Sequence, residues 1–315
     1  MSGVVLCAIA LALPAQQKIT PSTAEAAVQG DEPTRILVDV TRVNMLFTVT
    51  DKKGRFVTDL NKDDFEVIEN KRQQAIQEFT AESDLPLRIG ILIDTSNSVR
   101  ERLHFEQEAA IDFLSSTIRP GKDMAFVVGF DVEPQMVQDY TDDEEKLADA
   151  VHKLAAGGGT AMYDTIYFAC KEKMIYFPPP EPYLRRVLIV ISDGLDNQSE
   201  HTRDEALAMA QHAEVTIYSI STNRGTNEGV SDTTRGDKVL AMFAQETGGR
   251  VFHPFAATDL AENFQEIARE LRSQYSLGYV SSNPTHDGSF RKIAIEARNK
   301  DLHVHAKTGY WAATQ

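Results

Sequence analysis

Asp94-Thr95-Ser96-Asn97-Ser98 sets one carboxylate and two hydroxyls on alternate residues, directly after the apolar run Arg88–Ile93. Small oxygen donors at that spacing suit a hard divalent cation such as Mg²⁺, which prefers oxygen and keeps several of its waters. Two distant segments offer further donors. Thr160 closes the glycine run Gly157-Gly158-Gly159, and Asp193, followed by Gly194, closes a second apolar run, Arg186–Ser192.

Taken singly, each piece is ordinary. Asp94 can cap a helix, Ser192-Asp193-Gly194 can be a turn, and three glycines before a threonine can be a loop. Their joint order, at the ends of two apolar runs, singles them out. The set resembles the metal-ion-dependent adhesion site of von Willebrand factor A-type domains, whose pattern is Asp-x-Ser-x-Ser, then a Thr, then Asp-Gly. The resemblance implies that Asp94, Ser96, Ser98, Thr160 and Asp193 hold an ion directly or through water. Mg²⁺ is the implied cofactor, with Mn²⁺ or Ca²⁺ as alternatives. Two carboxylates balance the ion's charge without exceeding it, and hydroxyls add oxygens without charge. The ion stays electrophilic, and similar proteins use its open position for a Glu or Asp carboxylate of a protein partner. Gly158 and Gly159 let the loop bring Thr160 close. Gly194, Asp164, Asp196 and Asn197 flank the site as loop-supporting groups.

These residues need a scaffold that brings three separated loops to one edge. Between residues 86 and 272 the rhythm is strand, helix, strand, helix. Apolar runs at Arg88–Ile93, Met124–Phe130, Arg186–Ser192, Val215–Ser221 and Arg250–Phe252 read as strands. Helical patterns occupy Glu101–Ile118, Asp143–Leu154, Tyr163–Tyr176, Arg203–Ala213, Asp237–Glu246 and Asp259–Arg272, with Thr202 and Thr258 as N-caps. Continuous Val/Ile/Leu runs indicate strands covered on both faces, as in a parallel sheet. The expected fold is therefore α/β, doubly wound and Rossmann-like. Ligands of such sheets bind outside the carboxyl ends of the strands, where Asp94 and Asp193 both fall.

The flanks read differently. Residues 34–85 alternate in the manner of half-buried strands, at Ile36, Val38, Val40, then Val43, Met45, Phe47, Val49, then Phe65–Asn70, then Ile76 and Phe79. Residues 273–315 do the same at Tyr275–Val280, at Phe290, Ile293 and Ile295, and at Leu302, Val304 and Ala306. Neither end is large enough to close a sandwich alone. The two are expected to form one small β-sandwich into which the α/β domain is inserted, with Trp311, the single tryptophan, plugging its core. The segments Val49–Gly54, Asp63–Val67 and Leu277-Gly278-Tyr279 make nearly the whole mature chain similar to the von Willebrand-related proteins abundant in Acidobacteria.

The formal net charge of −15 argues against nucleic acid, whose phosphates would repel the chain. Val4–Leu13 is apolar but too short for a bilayer, which needs about 20 residues. With small residues at Ala12 and Ala15 it reads as a signal peptide over 1–15, followed by a linker over 16–33. The expected setting is secreted or periplasmic, with no transmembrane span. Cys7 leaves with that leader, so Cys170 stands alone and no disulfide framework exists.

Two motifs carry less. Arg235-Gly236-Asp237 spells an integrin-binding tripeptide, but Asp237 is expected to begin a helix. His303 and His305 share a strand face without further zinc ligands. Function is expected to be cation-dependent protein binding and not catalysis. No phosphate-binding loop, nucleophile elbow or His-Glu-x-x-His occurs. A dehalogenase-type phosphatase would want Asp where Ser96 stands. The alternatives are a metal-dependent hydrolase, with Asp164 as the nearby candidate base, or a scaffold with a purely structural metal.

Overall fold

The computed structural model describes residues 42–82, 85–175, 184–223, 230–254 and 257–314. The leader, the linker and the strand beginning at Ile36 lie outside those residues. The chain opens with β1 (Arg42–Asp51), β2 (Phe65–Glu69), β3 (Arg72–Gln74) and β4 (Ile76–Glu82). The α/β part follows as β5 (Leu87–Asp94), α1 (Leu103–Thr117), β6 (Met124–Phe130), β7 (Pro134–Thr141), α2 (Glu144–His152), α3 (Met162–Phe168), β8 (Arg185–Ser192), α4 (Arg203–His212), β9 (Val215–Ser221), α5 (Val230–Thr247), β10 (Val251–Phe252) and α6 (Ala257–Leu271). The chain returns through β11 (Gln274–Val280), β12 (Phe290–Ala297), β13 (Leu302–Ala306) and β14 (Gly309–Trp311).

The central sheet has the order β10-β9-β8-β5-β6-β7, parallel except for the antiparallel edge strand β7. Every residue of β5 is buried, as a strand covered on both faces requires. Its side chains alternate between two apolar layers. Leu87, Ile89, Ile91 and Ile93 pack with residues of α1, α2 and α6, and Leu92 packs with residues of α3, α4 and α5. This is the doubly wound, mainly parallel α/β fold.

The two chain ends share sheets. One has the order β13-β1-β11-β4 and the other β14-β12-β2-β3, so strands from both ends interleave in each. Phe47, Phe65, Phe79 and Tyr275 form an aromatic cluster with ring centroids 5.0–6.4 Å apart. Gln274 pairs with Glu82, so the strand leading into the inserted domain and the strand leaving it lie side by side. Thr48 on β1 donates to the buried Glu270 of α6 at 3.1 Å, joining sandwich to insert.

Several expectations need correction. The edge strand β7 was not foreseen; its half-exposed residues lack a continuous apolar run. The helix expected over Tyr163–Tyr176 changes to π-helical turns at Ala169–Ile175, and Tyr176 lies outside the described residues. Helix α5 begins at Val230, so Asp237 is in its interior and does not start it. Helix α6 already runs from Ala257, which puts Thr258 inside the first turn and not at the cap. Trp311 does not plug the sandwich core. It stacks on His212 at the end of α4, with centroids 4.9 Å apart, and meets Phe290 edge-on. Its indole N–H is buried there without a hydrogen-bond partner among the described residues, so ring contacts with His212 and Phe290 hold it. Of the paired histidines, His303 is exposed, but His305 is half-buried with Nε2 3.4 Å from the Thr50 hydroxyl. Among the described residues no helix is long and apolar enough to cross a membrane.

Candidate metal centre

Asp94 is the last residue of β5 and is fully buried. Both its oxygens are fixed: Oδ1 accepts the Ser96 backbone N–H at 2.8 Å, and Oδ2 accepts the Ser192 hydroxyl at 2.7 Å. The first bond folds the Asp-x-Ser turn back on the strand end. The second ties β5 to β8 at the edge where the sheet's ligands would arrive. The Ser96 and Ser98 hydroxyls lie 2.9 Å apart, with Ser96 buried and Ser98 exposed. The pair therefore spans from the interior to solvent.

Asp193 follows β8 directly and is half-buried. Its Oδ1 accepts the Leu195 N–H at 2.9 Å, a local turn closed by the side chain. Thr160 is buried in the loop between α2 and α3. That loop leans on the residue following β5 through Gly157 N–H to Thr95 carbonyl, 2.7 Å. It leans on the Asp193 segment through Thr160 N–H to Asn197 Oδ1, 3.0 Å, and Asn197 N–H to Thr160 carbonyl, 3.0 Å.

The flanking residues hold these loops. Asp164 accepts the backbone N–H groups of Glu200 and His201, and its Oδ1 lies 2.7 Å from His201 Nδ1. Asp196 accepts the Tyr163 N–H and the Ser199 hydroxyl. Gly158 adopts a left-handed φ of +73° against Asp131, and a side chain on Gly159 would run into Asn197 and Gln198. Gly194, at φ +78°, packs on the carbonyl of Gly236.

Ser192, Gly236, Asn223 and Asp237 help to hold this edge, a role not assigned to them from sequence. Ser192 had been read as part of a turn, yet it is the donor that fixes Asp94. Gly236 leaves no room for a side chain against the Asp193 carbonyl. Its neighbour Asp237 accepts from Ser221 and Asn223, and Asn223 also donates to the Asp193 carbonyl at 2.9 Å. The Arg-Gly-Asp tripeptide thus buttresses this edge from within a helix. Glu106, on α1, was not singled out either and is buried. Its sequence signal was an acid three residues after Leu103 and four before Ala110, in the buried stripe of an amphipathic helix.

The electrostatics suit a cation. Burial pushes the Asp94 carboxyl up to about 6, against the hydrogen bonds from Ser192 and Ser96, and the nearby Asp193 charge adds to the rise. Among the described residues no three His, Cys, Asp or Glu side chains group closely enough to hold a metal by themselves. A cation here would depend on the hydroxyls as much as on the two carboxylates, an all-oxygen set that fits a hard ion and no soft one.

The family model of the von Willebrand factor type A domain matches residues 89–195, a stretch that opens within β5 and closes two residues beyond Asp193. The chain carries a von Willebrand factor type A domain. Over 226 residues it is 25% identical to an uncharacterized protein of Borreliella burgdorferi, which covers 68% of this chain and 63% of that one. The chain thus matches less than two thirds of that relative's length. Similar solved structures include a von Willebrand factor type A protein from Catenulispora acidiphila, with TM-score 0.49 and 16% identity over 80% of this chain and 74% of that chain. Another is the conserved hypothetical protein BatB from Bacteroides thetaiotaomicron, with TM-score 0.47 and 18% identity over 59% of this chain and all of that chain. A third is proximal thread matrix protein 1 from mussel byssus, described with a zinc-occupied MIDAS motif, with TM-score 0.48 and 18% identity over 63% of this chain and 48% of that chain. In the present von Willebrand A domain the matched stretch spans both strand ends and the intervening Thr160 loop.

Proposed function

We propose that this chain is a binding module. Asp94, Ser96, Ser98, Thr160 and Asp193 hold a divalent cation, and the cation captures a Glu or Asp carboxylate of a protein partner. The observation that carries the reading is the fixed oxygen array at the sheet edge, with Asp94 pinned by Ser96 and Ser192 and the two serine hydroxyls 2.9 Å apart. Mg²⁺ is the first choice of ion, followed by Mn²⁺ and Ca²⁺. When bound, it supplies a positive charge that an acidic group can approach. Ser98, exposed at the outer end of the array, lies on the approach path.

The module binds and does not turn over a substrate. Asp164, the acid a hydrolase would use as base, is committed to the Glu200 and His201 N–H groups. The apolar leader fits a secreted or periplasmic setting.

A melting scan tests the cation. Mg²⁺ at a hundredfold over its Kd stabilises the folded state by about 2.7 kcal/mol. For a domain of this size that is a shift of roughly 5–11 °C relative to EDTA. Asp94→Ala is expected to abolish the shift and partner capture while keeping the far-UV circular dichroism. A demetallated sample that ignores Mg²⁺ sinks the cation. Capture retained by Asp94→Ala moves binding to a metal-independent surface, and a shift without cation-dependent capture reduces the metal to a structural one.

A further inference from the structure

Helix α1 carries an acid in its buried stripe. Glu106 is 1% exposed, and neither carboxylate oxygen accepts a hydrogen bond from any protein group. Its neighbour Gln107 faces no such problem, because its amide donates to the Val151 and Leu154 carbonyls at 2.7 and 3.1 Å. A buried polar group is ordinarily paired, and a buried carboxylate most of all. Glu106 therefore calls for a partner from outside the protein's own donors.

Its surroundings say which. At the N-cap just before α1, the Arg102 guanidinium donates to the Thr222 carbonyl, and the Thr222 N–H donates to the Ser192 carbonyl beside Asp193. The Glu106 N–H in turn donates to the Arg102 carbonyl at 3.1 Å. These bonds tie the start of α1, and with it Glu106, to the end of β8 that leads into Asp193. Burial raises its carboxyl to about 8; Arg102 opposes the rise, and the Asp94 and Asp193 charges add to it. A cation held by the two aspartates would favour the charged form of Glu106, which burial by itself disfavours.

We propose that Glu106 is a further cation-holding residue of this centre, accepting a hydrogen bond from a water bound to the ion that Asp94 and Asp193 hold. The contact is through water, since Glu106 does not group with the two aspartates closely enough for direct ligation. Mg²⁺ keeps several waters, and such waters need acceptors. Glu106 then adds a third negative charge to the site and links the first turns of α1 to its loading. The Asp-x-Ser-x-Ser pattern does not contain this residue. The inference rests on the metal reading above.

The test uses the full chain, with Mg²⁺ titrated by calorimetry and the metal-free protein melted in EDTA. Glu106→Gln keeps the shape and removes the charge. It is expected to melt at or above wild type in EDTA, since an unpartnered acid has been neutralised, and to bind Mg²⁺ about 10–100-fold more weakly. Glu106→Met fills the same volume without polar atoms, and the same loss is expected from it should the glutamine variant melt low. Wild-type Mg²⁺ affinity in a folded variant overturns the role of Glu106 while leaving the centre standing. No Mg²⁺ binding by wild type overturns both.

Discussion

A side chain on Gly236 would collide with the carbonyl oxygen of Asp193, so helix α5 and the second aspartate loop touch backbone to backbone. The contact explains a glycine inside a helix, where it costs about 1 kcal/mol relative to alanine. Gly236→Ala is expected to push the loop outward and destabilise by about 1–3 kcal/mol, as overpacking generally does. Melting measures the loss, and calorimetry in Mg²⁺ should show weaker cation binding. An unchanged melting temperature with unchanged affinity would mean that the loop has other room to relax.

Ser192 holds Asp94 through its hydroxyl at 2.7 Å. Ser192→Ala removes one of the bonds that keep the carboxylate ionised in a buried place. We expect a stability cost of about 1–3 kcal/mol for the unsatisfied buried acceptor. Mg²⁺ affinity should fall about 10–100-fold, the usual effect of removing a group that orients a ligand. Equal Mg²⁺ affinity in wild type and variant would show that Asp94 needs no second anchor.

At the opposite end of the sheet, Asp123 accepts the Leu87 N–H, the Arg119 guanidinium and the Arg272 guanidinium. Burial works to raise its pKa, but these donors outweigh it and hold the carboxyl down at about 2. The folded state therefore binds this proton less tightly than the unfolded chain does. The stabilisation is complete above the ordinary carboxylate range and is lost as pH falls through 4 toward 2. Asp123→Ala should cost about 1–3 kcal/mol at neutral pH, because the Leu87 N–H and both arginines lose this carboxylate while each arginine keeps a backbone acceptor. Urea unfolding across pH should show a steep acid limb in wild type and a flatter one in the variant. Identical limbs would assign acid sensitivity elsewhere.

Strand β1 is hydrogen-bonded on one side to β11 and on the other to β13, both from the far end of the chain. Deleting residues 273–315 should leave Arg42–Glu82 open to protease while the von Willebrand A domain stays resistant. N-terminal strands that resist digestion in the truncated chain would contradict a shared core.

Legibility in the sequence followed burial. β5, β6, β8 and β9 are continuous apolar runs because both faces are covered, and their positions were readable within a residue. β7 escaped because an edge strand needs no such run. The start of α5 escaped because Val230–Gly236 is rich in Ser, Thr and Gly, a composition that reads as loop until a packing contact such as Gly236 against Asp193 selects helix. The five residues proposed as oxygen donors were singled out by their order and spacing. Ser192 was not, since what marks it is its position relative to Asp94 in space. Trp311 misled because an indole's size suggests a core, and its distance to His212 is a tertiary fact.

Glu82 and Gln274 face each other across one strand pair, so the inserted domain leaves its host through a doorway one strand-spacing wide. Tension applied between the inserted segment and its host would therefore load these two neighbouring strands together.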